Sequence, residues 1–308
     1  MSNPESTSLR VFVSGSSGLV GRAIVSALKL AGHRTVPLRR APASNDPGLP
    51  VWELFRDKTW ESDVGAVDAV IHLAGENLAS HRWTPAVKRR LRDSRTVATE
   101  QLARRIASLT TRPKVLISAS AVGYYGNRGD ELLAEDSLRG DGFLSELCRD
   151  WEAACGPARD AGIRVVNLRF GMVLDREGGA LSKQMPIFKL GLGGRLGSGR
   201  QWTSWVSLDD LTAAVMLVLT NSSMSGPVNV VSPNPVTNRD FTRALGRVLR
   251  RPAFWVIPPF VLRAALGEMA DEMLLSSARV LPKRLTDNGF RFRYAELEPA
   301  LRRAVFHP

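Results

Sequence analysis

The chain has 308 residues, of which 44% are hydrophobic and 23% are charged, and its formal net charge is +12. Such a length and composition are typical of one large α/β domain with a smaller appendage. No run of about 18 uncharged apolar residues occurs and the polar N-terminus lacks the pattern of a secretion signal, so we expect no membrane partner. Cys148 and Cys155 stand seven residues apart and the four histidines are scattered, which favours a reducing, cytoplasmic compartment and no structural metal.

The excess of arginine raises the question of an anionic partner. A net positive charge is compatible with nucleic-acid binding, but the basic residues are spread along the chain in segments such as KRRLRDSR, ARRIA and GRVLRR. Most of them alternate with apolar residues at helical spacing. We interpret them as solvated helix faces, with attraction of an anionic cofactor as the alternative, and we expect no nucleic-acid partner.

Short apolar runs alternate with helical segments over most of the chain. The runs are LRVFVS, HRTVPLRR, DAVIHLAGE, KVLISASAV and RVVNLRFGMVL, with GPVNVV as a last strand. This alternation predicts an α/β fold with a doubly wound parallel Rossmann sheet. We assign residues 1–175 and 207–235 to the Rossmann domain that contains this sheet. The glycine-rich segment 176–206 and the mostly helical segment 236–308 are predicted to form a small substrate-side lobe.

The most informative motif is a glycine-rich turn after the first apolar run. The residues VFVSGSSGLVG put glycines at 15, 18 and 21, between a predicted strand and a predicted helix. This context predicts a dinucleotide site in which Gly15 makes the sharp turn, Gly18 lets the backbone approach a pyrophosphate and Gly21 lets the helix pack on the strand. The pyrophosphate would meet the N–H groups of the helix N-terminus, and the alternative is a tight turn without a ligand. The predicted cofactor loop comprises Gly15, Ser16, Ser17, Gly18, Leu19, Val20 and Gly21.

The end of the second strand indicates which dinucleotide fits. An NAD site commonly has an Asp or Glu there, which binds the ribose 2′-hydroxyl. This chain has Arg39 and Arg40 instead, and guanidinium groups supply bidentate charge-assisted donors that suit a 2′-phosphate. The sequence therefore predicts NADP(H) in preference to NAD(H), with surface charges at a strand end as the alternative role of the two arginines.

Several motifs beyond the glycine turn point to one family. They are AGENL at 74–78, SASAVGYYG at 118–126, GLGGRLGSGRQWTSWVSLDDL at 191–211 and the C-terminal PKRLTDNGFRFRYAELEPAL. With them the chain resembles the extended short-chain dehydrogenase/reductases, and more narrowly their atypical, sugar-nucleotide-epimerase-like subgroup. The resemblance implies a Rossmann core, NADP(H) as the cofactor, and an upper lobe built from the glycine-rich insert and the C-terminus.

The resemblance also implies which residues meet the cofactor. Residues 73–75 would run beneath its adenosine–ribose side with Glu76 close by, and Arg95 lies on the helix that normally passes the cofactor. Arg169 follows a strand whose end contacts the nicotinamide in relatives, and a buried ion pair is its alternative role. Ser118 has the alternative of satisfying buried backbone at its strand end. The implied set is Leu73, Ala74, Gly75, Glu76, Arg95, Ser118 and Arg169.

The catalytic part of the resemblance is incomplete. Ser120 matches the family's catalytic Ser/Thr, which hydrogen-bonds the substrate oxygen, with satisfaction of buried backbone as the alternative. The family's Tyr-x-x-x-Lys pair is missing, since the corresponding residues 142–152 contain neither Tyr nor Lys. Tyr124 and Tyr125 are the tyrosines near the predicted site, and one of them could exchange the proton. Ring packing at a strand-to-loop turn is the alternative for this pair.

Two functions follow from these observations. The first is an NADP-dependent oxidoreductase or epimerase acting on a small polar or nucleotide-linked carbonyl or alcohol. The second is a catalytically reduced, NADP-sensing binding protein, which the missing Tyr-Lys pair favours. Both predict a small-molecule partner, and both leave the substrate, the direction of reaction and the oligomeric state open.

Overall fold

The computed structural model describes residues 8–38 and 66–306. In these ranges the strands are β1 (Arg10–Ser14), β2 (Arg34–Leu38), β3 (Ala69–His72), β4 (Val115–Ala121), β5 (Leu132–Leu133), β6 (Arg164–Phe170), β7 (Met172–Leu174), β8 (Gly194–Leu196), β9 (Trp202–Thr203), β10 (Trp205–Ser207), β11 (Gly226–Val230), β12 (Val236–Thr237), β13 (Trp255–Ile257) and β14 (Arg279–Val280). The helices are α1 (Leu19–Leu30), α2 (Pro85–Asp93), α3 (Thr96–Ala107), α4 (Phe143–Ala153), α5 (Gly156–Asp160), α6 (Gly179–Lys189), α7 (Leu208–Thr220), α8 (Asn238–Leu249), α9 (Pro259–Leu266), α10 (Lys283–Asp287) and α11 (Leu297–Phe306). A 3₁₀ turn covers Val122–Tyr125, and a π-helical segment covers Ala270–Leu275.

The centre of the molecule is a six-stranded sheet in the order β11-β6-β4-β3-β1-β2, with every pairing parallel. This arrangement confirms the doubly wound Rossmann sheet that the sequence predicts. β1 pairs with β2 on one edge and with β3 on the other, so the strand order reverses beside β1. Ligands of open α/β sheets bind at the carboxyl ends of the strands where this reversal occurs. A ligand is therefore expected at the turns that follow β1 and β3.

Helices cover both faces of the sheet. On one face Ile24 of α1 and Val215 of α7 are buried against the strands, and on the other Leu102 of α3 is buried in a second apolar cluster. Val11 and Phe12 of β1 point to opposite faces and are both fully buried. A strand covered on both sides is apolar along its whole length, which explains the continuous apolar run in the sequence.

A separate helical core forms the lobe above the sheet. Its buried residues come from α6, α8 and α11, for example Phe188, Leu245 and Leu301, which pack with Trp205. The short pairings β8–β13 and β9–β12 join the glycine-rich segment to the C-terminal part of the chain. Among the helices of the described ranges, none combines the length and the hydropathy that crossing a bilayer requires.

Candidate cofactor and active site

The glycine-rich turn joins β1 directly to α1. Gly15 follows Ser14 and has φ +69°, a left-handed conformation that favours glycine. A Cβ on Gly15 would lie 2.9 Å from the carbonyl carbon of Leu73, and a Cβ on Gly21 would overlap the carbonyl oxygen of Gly15. The N–H of Gly18 closes the turn by donating to that oxygen at 3.0 Å. The turn itself therefore requires glycine at its first and third positions.

The N-terminus of α1 is open at the middle glycine. Gly18 is the N-cap residue, no side chain caps the helix, and its first turn contains no acidic residue. A Cβ on Gly18 would meet one atom within 4 Å, the Gly15 carbonyl oxygen at 3.4 Å. Uncapped N–H groups at the positive end of a helix dipole attract anions. Glycine at position 18 thus leaves space for an anionic ligand and is not needed by the fold.

A buried polar chain fixes the neighbouring turn at residues 73–75. Ser14 Oγ accepts hydrogen bonds from the N–H groups of Leu73 at 3.1 Å and Ala74 at 3.3 Å, and it lies 2.6 Å from Nδ1 of His72. Nε2 of His72 lies 2.9 Å from Oγ1 of Thr99. The turns after β1 and β3 are therefore held to each other. Ser14, His72 and Thr99 were not among the predicted site residues, although a Ser at the strand end and a His inside an apolar run indicate buried polar partners.

Arg95 and Glu76 hold the backbone of the same turn. Arg95 is buried and donates to the carbonyl oxygens of Glu76 at 2.8 Å and Leu91 at 3.0 Å. A Cβ on Gly75 would lie 3.3 Å from Cζ of Arg95, and the Glu76 carboxylate forms an ion pair with Arg90 at 3.1 Å. Both side chains therefore have protein partners that shape the turn, and their contact with a cofactor stays a prediction.

The arginines predicted to bind the 2′-phosphate, Arg39 and Arg40, lie outside the described residues. β2 ends at Leu38, whose partner in the parallel register of β1 is Ser14. β2 therefore ends at the edge of the sheet that carries the glycine turn. The role of the two arginines stays a prediction.

Ser118 and Ser120 lie inside β4, and both are buried. Ser120 Oγ donates to Glu152 Oε1 at 2.7 Å. Glu152 comes from α4, and Arg169 of β6 binds both of its oxygens, at 2.8 Å from Nε and 2.9 Å from Nη2. Because the single proton of Ser120 is donated to Glu152, its hydroxyl keeps only acceptor lone pairs for a ligand.

Arg169 is the centre of a buried network. Its Nη1 donates to the hydroxyl of Tyr125 at 2.9 Å, and its Cζ lies 3.5 Å from the ring centre of Tyr124. Burial opposes the charged form of Arg169, but hydrogen bonding and attraction to Glu152 outweigh it and raise its pKa. In the structure Arg169 forms the buried ion pair that was the alternative to a nicotinamide contact. Its contact with a cofactor stays a prediction.

The adjacent tyrosines differ in their surroundings. Tyr125 is fully buried, and its hydroxyl lies 2.8 Å from Oδ1 of Asn229 and 2.9 Å from the carbonyl oxygen of Ala134. Burial raises the pKa of Tyr125 to about 12. Tyr124 is half-buried and meets the Tyr125 ring edge-on at 5.4 Å. The assignment of Tyr125 to catalysis does not fit this interior position, so Tyr124 is the one candidate of the pair with exposed surface.

Helix α4 faces the 3₁₀ turn with an apolar residue and a thiol. Leu144 and Cys148 have the four-residue spacing of a Tyr-x-x-x-Lys pair, and a Cβ on Gly123 would lie 3.3 Å from Leu144 Cβ and 3.9 Å from Cys148 Sγ. The carboxylate of Glu272, from the π-helical segment, accepts from the N–H groups of Phe143 and Leu144, each at 3.1 Å. A residue of the C-terminal lobe therefore holds the N-terminus of α4 in place. The helix itself, Phe143–Ala153, contains neither Tyr nor Lys.

Both cysteines are free and buried. Burial raises the pKa of Cys148 to about 12 and that of Cys155 to about 11. Both thiols are therefore protonated at neutral pH and are poor nucleophiles and metal ligands. Within the ranges that the structure describes, no three His, Cys, Asp or Glu side chains come close enough to share a metal ion.

Comparison with known proteins identifies the family. Residues 11–231 match the NAD dependent epimerase/dehydratase family, and residues 257–304 match a domain of unknown function, DUF1731. The chain therefore belongs to the NAD dependent epimerase/dehydratase family. Within it, an epimerase family protein of Mycobacterium leprae is 44% identical over 303 residues, which cover 97% of this chain and 96% of the relative.

Solved structures of similar proteins agree with this placement. The human epimerase family protein SDR39U1 (isoform 2), whose crystal structure was solved with NADPH, is 32% identical and superposes with a TM-score of 0.85 over 97% of this chain and 100% of its own. A nucleoside-diphosphate sugar epimerase from Corynebacterium glutamicum is 36% identical with a TM-score of 0.77, covering 97% of this chain and 58% of its own. These matches confirm the resemblance to the epimerase-like extended short-chain dehydrogenase/reductases.

Proposed function

We propose that this protein is an NADP(H)-binding oxidoreductase or epimerase that acts on a small polar or nucleotide-linked carbonyl or alcohol. The observation that carries the proposal is the uncapped N-terminus of α1 at Gly18, which fits a pyrophosphate. Gly15 and Gly21 allow the backbone to form that turn, and residues 73–75 would line the adenosine–ribose side. The human relative solved with NADPH supports the same class of ligand.

Selectivity for NADP(H) is proposed to come from Arg39 and Arg40. In the sequence they follow Leu38, and Leu38 pairs with Ser14 beside the glycine turn. A guanidinium donates two parallel N–H bonds to a phosphate. NAD(H) has no 2′-phosphate and would lose these bonds.

Hydride transfer is the chemistry that NADP(H) supplies when bound. Tyr124 is proposed to donate its phenolic proton to a carbonyl oxygen as the carbonyl carbon is reduced, and to accept a proton from an alcohol in the reverse direction. Arg169 holds the Tyr124 ring by its face, and Glu152 neutralises Arg169. The ion pair thus positions the proposed proton donor without touching substrate.

Ser120 is proposed to orient the substrate oxygen. Since its proton is donated to Glu152, its lone pairs can accept a hydrogen bond from an alcohol. A carbonyl oxygen has no proton to give, so Ser120 must turn away from Glu152 to bind one. An alcohol has a single proton, which cannot be accepted by both Ser120 and Tyr124. The Ser120 hydroxyl is therefore proposed to turn from Glu152 to the substrate oxygen in either direction of the reaction, while Tyr124 exchanges the proton.

Calorimetry and a substrate screen test the proposal together. We expect NADPH to bind tightly and NADH weakly, and equal affinities would contradict the 2′-phosphate argument. Carbonyl and alcohol substrates are then screened by nicotinamide absorbance with the wild type, Ser120→Ala and Tyr124→Phe, with Tyr125→Phe as the matched control. Loss of general acid catalysis should slow Tyr124→Phe by about a hundredfold or more, whereas folded Tyr125→Phe should keep its turnover. Turnover that survives Tyr124→Phe would refute the proposed proton donor.

A second candidate is an NADP-sensing binding protein with reduced catalysis. Its favouring observation is α4, which has Leu144 and Cys148 at the spacing of a Tyr-Lys pair and leaves Ser120 bonded to Glu152. This candidate predicts tight NADPH binding with no turnover in the screen. Any turnover that depends on Tyr124 decides against it.

A further inference from the structure

An apolar surface of the C-terminal lobe has no partner within the described chain. Helix α9 buries none of its residues, although most of them are apolar. Leu190, Phe254 and Phe260 are each 70% exposed or more. We call this surface the lobe patch, and its large exposed residues include Leu190, Leu192, Phe254, Trp255, Val256 and Phe260. Contiguous exposed apolar surface of this kind marks an interaction site.

Two segments of the lobe patch are bonded to each other, and α9 follows the second of them in the chain. Trp255 Nε1 donates to the carbonyl oxygen of Gly191 at 3.2 Å, and Arg251 Nε donates to that of Lys189 at 3.0 Å. The rings of Phe254 and Trp255 lie 5.3 Å apart. β13 also pairs with β8, which follows the Leu190–Leu192 region in the chain. The residues around 190 and around 255 therefore form one face.

Arginines border this face. Arg243, Arg247, Arg250 and Arg251 surround a surface depression of about 440 Å³, which Phe254 also lines. Of these four arginines, Arg247 has a carboxylate partner among the described residues, Glu298 at 3.0 Å. A concentrated positive charge and exposed aromatic rings therefore share the same edge of the lobe.

The backbone at Arg250 adds an independent observation. Arg250 has φ +53° and is, among residues 8–38 and 66–306, the one non-glycine residue in the left-handed region. It follows the last turn of α8, a position that glycine usually occupies because a Cβ is unfavourable there. Non-glycine residues in this unfavourable region cluster at functional sites, which suggests a role for the side chain. Here that side chain is one of the arginines bordering the lobe patch.

We propose that the lobe patch docks on an anionic lipid bilayer. Aromatic and aliphatic side chains such as Phe254 and Leu190 would enter the boundary between headgroups and acyl chains, while the arginines would meet lipid phosphates. A second copy of the chain would bury the apolar residues but would leave the bordering arginines without an anionic partner, whereas a lipid surface supplies both kinds of contact. Single strands of nucleic acid bind to arginines and stack on aromatic rings, but this mode of binding does not explain the exposed aliphatic residues Leu190, Leu192 and Val256. The expectation of no membrane partner was based on the lack of a long apolar run in the sequence, and docking on a membrane surface does not require one.

Vesicle sedimentation tests this docking. The probes are vesicles of phosphatidylcholine with and without phosphatidylglycerol, and binding is expected with the anionic vesicles and should weaken as salt is raised. Arg243→Gln with Arg250→Gly should weaken binding about 25-fold, at about fivefold for each basic residue. Phe254→Ser with Phe260→Ser should weaken it at least about tenfold. Leu138→Ser and Arg104→Gln, which remove a similarly exposed apolar residue and arginine elsewhere, are the matched controls and should bind as the wild type does.

Each contrary result overturns the proposal. Absence of binding to anionic vesicles refutes it, as does equal binding to both kinds of vesicle. Binding to a single-stranded oligonucleotide that depends on the arginines but not on Phe254 and Phe260, without vesicle binding, would identify nucleic acid instead. Dimerisation in sedimentation equilibrium that Phe254→Ser abolishes, without vesicle binding, would identify a second copy. Circular dichroism and NADPH binding by every variant show that the fold and the cofactor site are intact.

Discussion

Removing one charge of the Glu152–Arg169 pair should destabilise the protein more than removing both. The side chains of Arg169 and Glu152 are only 3% and 12% exposed and are joined by two short hydrogen bonds. Glu152→Gln would leave Arg169 as a buried cation without its counter-charge, which costs about 3–5 kcal/mol. That is a large part of the about 5–15 kcal/mol by which a domain is stable. Adding Arg169→Met removes the second charge and should recover most of the loss.

Urea unfolding of the wild type, both single variants and the double variant measures this coupling. Tryptophan fluorescence follows unfolding, and the double-mutant cycle gives the interaction free energy. The exposed pair Arg104–Glu100 is the matched control, because a helical surface pair contributes only about 0.3–0.5 kcal/mol. If the losses of the two single variants simply add in the double variant, the buried pair does not act as a unit and the reasoning fails.

Three further predictions concern the glycine turn, the selectivity arginines and the interior tyrosine. Gly18→Val should fold normally and lose NADPH binding in calorimetry. Gly21→Ala should instead lower the free energy of unfolding by about 1–3 kcal/mol, because its Cβ overlaps the backbone of the turn. Undiminished NADPH binding by folded Gly18→Val would contradict the loop assignment. Replacing Arg39 and Arg40 with Ala should weaken NADPH binding about tenfold or more and leave NADH binding nearly unchanged, since each charge-assisted contact contributes about 1.5–3 kcal/mol; unaltered NADPH affinity would exclude them. Because burial raises the pKa of Tyr125 from 10.0 to about 12, the folded state keeps a proton that the unfolded state loses, so this contribution to stability is present below pH 10 and is lost as pH rises towards 12. The difference in unfolding free energy between the wild type and Tyr125→Phe should accordingly shrink by about 1.4 kcal/mol per pH unit in that window. If urea unfolding shows a constant difference from pH 10 to 12, Tyr125 does not titrate there.

The parts of the fold that follow from sequence are those with local signals. The constraints on Gly15, Gly18 and Gly21 lie within one strand, one turn and the start of one helix, so the spacing alone predicts them. Buried parallel strands are also recognisable because both of their faces are covered and their residues are apolar throughout. The order of the strands in the sheet depends on pairings between distant segments, and no single run of residues encodes it.

The polar interior of the site shows why the remaining details are harder to predict. Glu152 belongs to α4 and Arg169 to β6, and neither local pattern specifies that their side chains meet. Tyr124 and Tyr125 are adjacent, so sequence position cannot separate them as proton donors. The 3₁₀ turn at Val122–Tyr125 separates them by directing the second ring into the interior. A buried ion pair and a buried hydroxyl network depend on three-dimensional packing that the sequence pattern does not contain.

The position of Arg169 also limits how this protein can change in evolution. Its guanidinium supports the ring of Tyr124 and, through Tyr125, reaches Asn229 in β11. Substituting Arg169 alone would leave Glu152 as a buried anion without its counter-charge and would loosen neighbouring strands of the sheet. Loss of both charges would cost far less, so Arg169 and Glu152 should change together or not at all. The pair serves the stability of the fold, and its presence is by itself no sign of turnover.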